Sequence, residues 1–205
     1  MAISNNNIDT LNSKTPNELN DTLISMRETL RSDLNKRPTD YEQVAKDYDI
    51  IGAILHRLNQ LEDALTSYFQ ARSLRMKHLP PLHLDYAKSH NNVATIYIAQ
   101  RNFKDALKKL DECSSILKQS IREPYHAAYV SCEYSKAEAL MGLNLFEEAI
   151  EHGCTALENS LMIYGDKHQT TAVIEKILQL IYTQQWEYEN RPIEENENTY
   201  NEFHP

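Results

Sequence analysis

The chain has 205 residues, a formal charge of −9 and an ordinary balance of 41% hydrophobic to 25% charged residues, which suits a folded soluble protein. An acidic chain without a basic stripe interleaved with aromatics repels a phosphate backbone, which argues against nucleic-acid binding. Four glycines are too few for the tight turns of a sheet protein, and no apolar run approaches the ~18 residues that a membrane span needs.

In chain order, the polar segment 1–14 lacks the basic and apolar regions of a signal peptide and is expected to be disordered. Thr15-Pro16-Asn17-Glu18 reads as a capping box with proline at the first helical position. Leu19, Leu23, Met26, Leu30 and Leu34 follow at helical spacing, so a helix over about 15–37 is expected to cover whatever comes next.

A repeat then begins. Ala64, Ala106 and Ala149 recur at a period near 42, inside the similar texts RLNQLEDAL, AQRNFKDAL and GLNLFEEAI. Twelve residues before each stands another small residue (Gly52, Ala94, Ala137), and seven after each a third (Ala71, Cys113, Ala156). Antiparallel helices approach to ~8–10 Å only where small side chains occupy the crossing, so each repeat reads as a helical hairpin. The spacing predicts helices over about 41–58 and 61–78, 83–100 and 103–120, and 125–142 and 145–163. Pro80, Pro81 and Pro124 fall between pairs, where proline ends one helix without breaking another. A last helix over about 168–188, with Val173, Ile177, Leu180 and Ile181 as its apolar face, is expected to cap the stack. The acidic tail 189–205 reads as flexible; residues 183–205 together carry one basic and six acidic groups. The fold class is all-α, with one repeat domain over 15–188 (repeats about 40–84, 85–124 and 125–167, caps 15–37 and 168–188).

Repeat two, DYAKSHNNVATIYIAQRNFKDALKKLDECSSIL, resembles tetratricopeptide repeats of the kinesin light chain-like variety, which run near 42 residues. Repeat one matches mainly in its second helix; repeat three departs most, with Lys136 and Gly153 where an aliphatic and an aromatic are usual. The resemblance covers about 40–168. It implies a right-handed superhelical solenoid of three helix pairs between capping helices, with the first helix of each pair lining a concave groove that holds a peptide. The groove positions implied are Lys46, Asp49, Ala53 and His56; Lys88, Asn91, Asn92, Thr95 and Ile98; and Ser131, Tyr134, Ser135, Glu138 and Met141. Asn91 and Asn92 match the paired asparagines with which such repeats grip an extended peptide backbone. The lysine–asparagine set that clamps chaperone C-termini is not reproduced.

The function expected is a protein–protein interaction module, an adaptor or scaffold, cytoplasmic and monomeric. The alternative is a structural subunit that self-associates through its flank or end. Catalysis is not expected, because no serine or cysteine has a recognisable base partner and no phosphate-binding loop is present. No cofactor is expected either. His78, His83 and His90 straddle a double proline with no carboxylate or cysteine at ligand spacing, so no metal site is expected. Cys113, Cys132 and Cys154 are odd in number and widely spaced, and read as reduced thiols. Tyr125, Tyr129 and Tyr134 offer repeat three an aromatic rim suited to an interface.

Overall fold

The computed structural model describes residues 11, 13–80, 82–123 and 125–191; within these lie eight helices of at least 16 residues and no strand. They are α1 (Pro16–Asn35), α2 (Tyr41–Arg57), α3 (Leu61–His78), α4 (Leu84–Ala99), α5 (Phe103–Ser120), α6 (Ala127–Gly142), α7 (Phe146–Tyr164) and α8 (Gln169–Glu189). The boundaries fall within about two residues of those read from the sequence, the usual scatter of frayed ends. Pro81, Pro124, most of segment 1–14 and the tail beyond 191 lie outside the described residues. The chain divides into two compact units, residues 1–124 with α1–α5 and residues 125–205 with α6–α8.

The first unit is built by hairpins. Thr15 and Glu18 complete the expected capping box: the Thr15 amide donates to Glu18 Oε2 at 2.7 Å and the Glu18 amide to Thr15 Oγ1 at 3.4 Å. Asp40 caps α2 by accepting from the Gln43 amide at 3.0 Å. The turn from α2 to α3 satisfies the last carbonyls in the double pattern of a left-handed helix stop, with Gln60 N–H on Leu55 O and Asn59 N–H on His56 O, both 2.9 Å. Asn59 takes the positive φ of 57° that this stop requires. Arg101 and Asn144 occupy the same place between α4 and α5 and between α6 and α7, at 59° and 60°. The three are spaced by the repeat, so the turn is part of what repeats.

Leu19 and Leu23 of α1 pack with Ile51, Ile54 and Leu55 of α2, Tyr68 of α3, and Val93 and Ile96 of α4. Each such side chain, fully buried, contributes about 1.5–3 kcal/mol, so α1 covers the first hairpin as expected. Leu11 joins this cluster at 4% exposure, and Lys14 Nζ donates to Thr22 Oγ1 at 2.7 Å. These two residues of the segment expected to be disordered are therefore packed on the cap. Gly52, Ala64, Ala94 and Ala106 are buried at the helix crossings. Gly52 is needed there: a Cβ would lie 2.7 Å from Cε1 of Tyr68.

In the second unit α6 pairs with α7 and α8 packs on α7. Ala137, Ala149 and Ala156 are fully buried. The apolar face of α8 differs from the one expected. Ile174, Ile177, Leu178 and Ile181 are buried, whereas Val173 and Leu180 are 42% and 45% exposed. The cause is Gly153, at the place held by Tyr68 in the first repeat: its missing side chain leaves a slot on α7 filled by Leu178, whose Cδ2 would sit 2.6 Å from an added Cβ. Filling that slot turns α8 away from the Val173–Leu180 edge.

Candidate functional site

The groove positions implied by the sequence lie on the first helices of the hairpins: on α2 and α4 in the first unit and on α6 in the second. On α2, Lys46 is half-buried and bound to Glu42 at 2.5 Å. Ala53 and His56 are half-buried, and burial, helped by Arg57, holds the His56 imidazole below its usual range.

Asp49, expected to face a peptide, does not. It is 5% exposed and holds Arg75 of α3 in a forked pair, Nη2–Oδ2 2.5 Å and Nη1–Oδ1 3.2 Å. Arg75 is itself 2% exposed; Nη1 also donates to Ser89 Oγ at 2.9 Å, and Nε stands 3.7 Å from Asp85 Oδ2. The Tyr86 hydroxyl donates to the carbonyls of Arg75 and Leu79 at 3.0 and 3.2 Å. Lys88 Nζ reaches Asp49 Oδ2 at 3.4 Å, and Asn92 Nδ2 donates to Asp49 Oδ1 at 3.1 Å. Two carboxylates and two cations thus balance within one network that ties α2, α3 and α4 together. A buried guanidinium needs a carboxylate fork, which draws Asp49 inward and occupies Asn92.

Sequence reasoning misses Arg75, yet the signal is there. It stands eleven residues beyond Ala64, where the other repeats place Leu117 beyond Ala106 and Ser160 beyond Ala149. Both of those are fully buried. A charge at a core position of the repeat predicts a buried partner.

Asn91, one residue earlier than Asn92, has a different status. Its side chain is half-buried and its Oδ1 is buried with no hydrogen-bond partner. Thr95 is half-buried and donates to the Asn92 carbonyl at 2.8 Å, and Ile98 is half-buried on the following turn. On α6, the Tyr134 hydroxyl donates to Glu138 Oε1 at 3.0 Å. Burial pushes the Glu138 carboxyl above its usual range, against the Tyr134 bond; burial and then the neighbouring Glu138 charge push the Tyr134 hydroxyl up. Met141 is half-buried, Ser131 exposed and Ser135 buried. Glu133 of α6 meets His152 of α7 at 2.5 Å, pinning that hairpin.

The histidines have structural posts. His83, His126 and His168 each stand at the N-cap of a helix, Nδ1 accepting from the amide two residues on at 3.2, 3.1 and 3.2 Å. His78 stacks on Tyr41 with ring centres 3.9 Å apart. Among the described residues no three His, Cys, Asp or Glu side chains come together as a metal site. None of the three cysteines is in a disulfide; Cys113 and Cys132 are buried and Cys154 is exposed.

Paired helices with small residues at each crossing, joined by identical stops at a period near 42, place the chain among known folds. The crystal structure of BtubC (BKLC) from P. vanneervenii matches with a TM-score of 0.62 at 15% identity, over 82% of this chain and 65% of that one. The chain therefore spans just under two thirds of that protein's length. Two crystal structures of a Podosopora anserina putative kinesin light chain with nearly identical TPR-like repeats, one of them a point-substituted form, match with TM-scores of 0.60 and 0.62. Both are at 14% identity, over 82% of this chain and 79% and 78% of theirs. The chain has a tetratricopeptide-like repeat fold. No protein-family model matches the sequence, and no curated protein matches it. Identities this low carry the fold alone, and the fold does not specify what such a chain does.

Proposed function

We propose that the protein is an interaction module that holds an extended segment of a partner protein along the first-helix faces of α2 and α4, with Asn91 gripping the partner's backbone. The observation that carries this is the buried, unpartnered Oδ1 of Asn91. An unsatisfied buried acceptor costs about 1–3 kcal/mol, and its neighbour Asn92 shows that this helix does satisfy an amide when a partner is at hand. Rotation about the last side-chain torsion brings the Asn91 oxygen to a partner's N–H without moving the backbone. Thr95 and Ile98, half-buried one and two turns on, supply polar and apolar contact beside it. In the second unit Tyr134, Glu138 and Met141 form the corresponding surface, where a carboxyl group with only a phenol for company favours a hydrogen-bond donor from the partner.

The test is capture from a cell lysate by wild type and by Asn91→Ala, with thermal midpoints measured alongside. Loss of captured protein at an unchanged midpoint is the expected result. Undiminished capture by Asn91→Ala sinks the assignment. A second reading, self-association through the end of the second unit, is favoured by α8, which exposes Val173, Leu180, Tyr182 and Trp186 at 42–65%. Light scattering over a dilution series separates the two, because a mass independent of concentration counts against self-association.

A further inference from the structure

A second polar feature of the first unit lies where α1 docks on α2. Asp33, in the last turn of α1, is 6% exposed, and Asp47 of α2 is fully buried. The two carboxyl groups lie within hydrogen-bonding reach of each other. Among the described residues one cation serves them: Lys36, just past α1, binds Asp33 Oδ1. Gln43 donates to Asp47 Oδ1 at 2.9 Å, which leaves Asp47 Oδ2 buried with no partner. A carboxylate accepts and cannot donate, so two ionised groups in this arrangement repel, and the orphan oxygen stays orphaned. One proton between them changes both facts at once: it supplies the missing hydrogen bond and reduces the pair to a single charge, which Lys36 neutralises.

We propose that Asp33 and Asp47 share a proton across the α1–α2 contact, so that α1 is a pH-dependent cap, held more tightly in mild acid than at neutral pH. Its consequence is mechanical. Leu19 and Leu23 leave the core cluster that includes Ile51, Leu55 and Tyr68 when α1 lifts, so the same protein presents a covered or an uncovered first hairpin according to pH.

The sign follows from the groups that face Asp47. Burial, the largest influence, raises its carboxyl to about 6; the Asp33 charge and contact across the helix pair raise it too, while Gln43 and Lys36 act the other way. From α3 the cation directed at α2 is Arg75, and Asp49 holds it. Asp40 acts on Lys36. A carboxyl raised on folding contributes stability that is fully present below its unfolded value and is lost as pH rises through about 6. Asp33, held low first by Lys36, titrates below this window. His56 and His90, held by burial below the usual imidazole range, contribute the opposite slope, stability lost on acidification.

The experiment is hydrogen–deuterium exchange of the whole chain at about pH 5 and about pH 7.5, corrected for intrinsic exchange, on wild type, Asp47→Asn and Asp33→Asn. In wild type, protection of the α1 amides relative to those of α5 is expected to fall on the order of tenfold between the two pH values. Either variant places a non-titrating amide in the pair and is expected to flatten the dependence. Equal protection of α1 at both pH values, greater protection at the higher one, or a slope retained in a folded variant overturns the proposal. Should neither variant fold, the wild-type slope decides alone, since the histidines give the other sign.

Discussion

The Asp49–Arg75 pair makes the sharpest demand on the account of the first unit. Arg75→Leu installs the residue that the second repeat carries at the same place, Leu117. By hydrophobicity alone the change should help. It instead strands a carboxylate that is 5% exposed, and removing one member of a buried pair costs about 3–5 kcal/mol. Lys88 remains 3.4 Å from Asp49 Oδ2 and Asn92 still donates to Oδ1, so the expected loss lies at the low end, about 3 kcal/mol. Adding Asp49→Asn completes the second repeat's solution, in which Asn91 stands in the carboxylate's place, and should restore more than half of that loss. Urea denaturation of wild type, both single variants and the double variant, followed by far-ultraviolet circular dichroism, closes the cycle. A single-variant cost below about 1 kcal/mol, or a double variant no better than Arg75→Leu, would refute the reading of Asp49 as a structural group.

Other expectations follow from single contacts. Asn92→Ala should lower stability by about 1 kcal/mol through its lost bond to Asp49, while Asn91→Ala should leave the urea midpoint unchanged or slightly raised. Gly52→Ala drives a methyl group into the ring of Tyr68, with carbons at 2.7–3.0 Å, and should cost about 1–3 kcal/mol in the same assay. Glu138→Gln keeps an acceptor for the Tyr134 hydroxyl and removes a carboxyl raised by burial. Because that wild-type contribution is lost as pH rises through the raised value, the variant should gain stability near pH 7.5 and little near pH 4. Thermal melts at the two pH values check it.

Much of the fold was legible because it rests on residues with few alternatives. Alanine and glycine at the crossings, the Thr15–Glu18 box and the prolines between pairs each point to one local geometry. The helix stops carry a quieter signal: Asn59 and Asn144 announce a left-handed residue, whereas Arg101 shows it only by register. The site was less legible. Counting from the anchors placed Asp49 and Asn92 on the groove line, but whether a polar side chain faces a ligand or a neighbour depends on residues far away in sequence, here Arg75, 26 positions on from Asp49. Aligning the repeats at that column would have exposed it. The face of α8 is half legible for a similar reason: Val173, Ile177, Leu180 and Ile181 share a helical period and Ile177 and Ile181 are buried, but the vacancy at Gly153, on another helix, brings in Leu178 and leaves Val173 and Leu180 outside.

A partner is expected to lie along the first-helix faces of α2 and α4. Photo-crosslinking tests it most directly, with a benzoylphenylalanine placed in turn at Thr95 of α4 and at Lys108 of α5, whose side chain is 72% exposed, in lysate under ultraviolet light. A discrete adduct from Thr95, absent from Lys108 and lost when Asn91→Ala is added, is the result expected. Adducts from Lys108 alone, or a Thr95 adduct indifferent to Asn91, would contradict it.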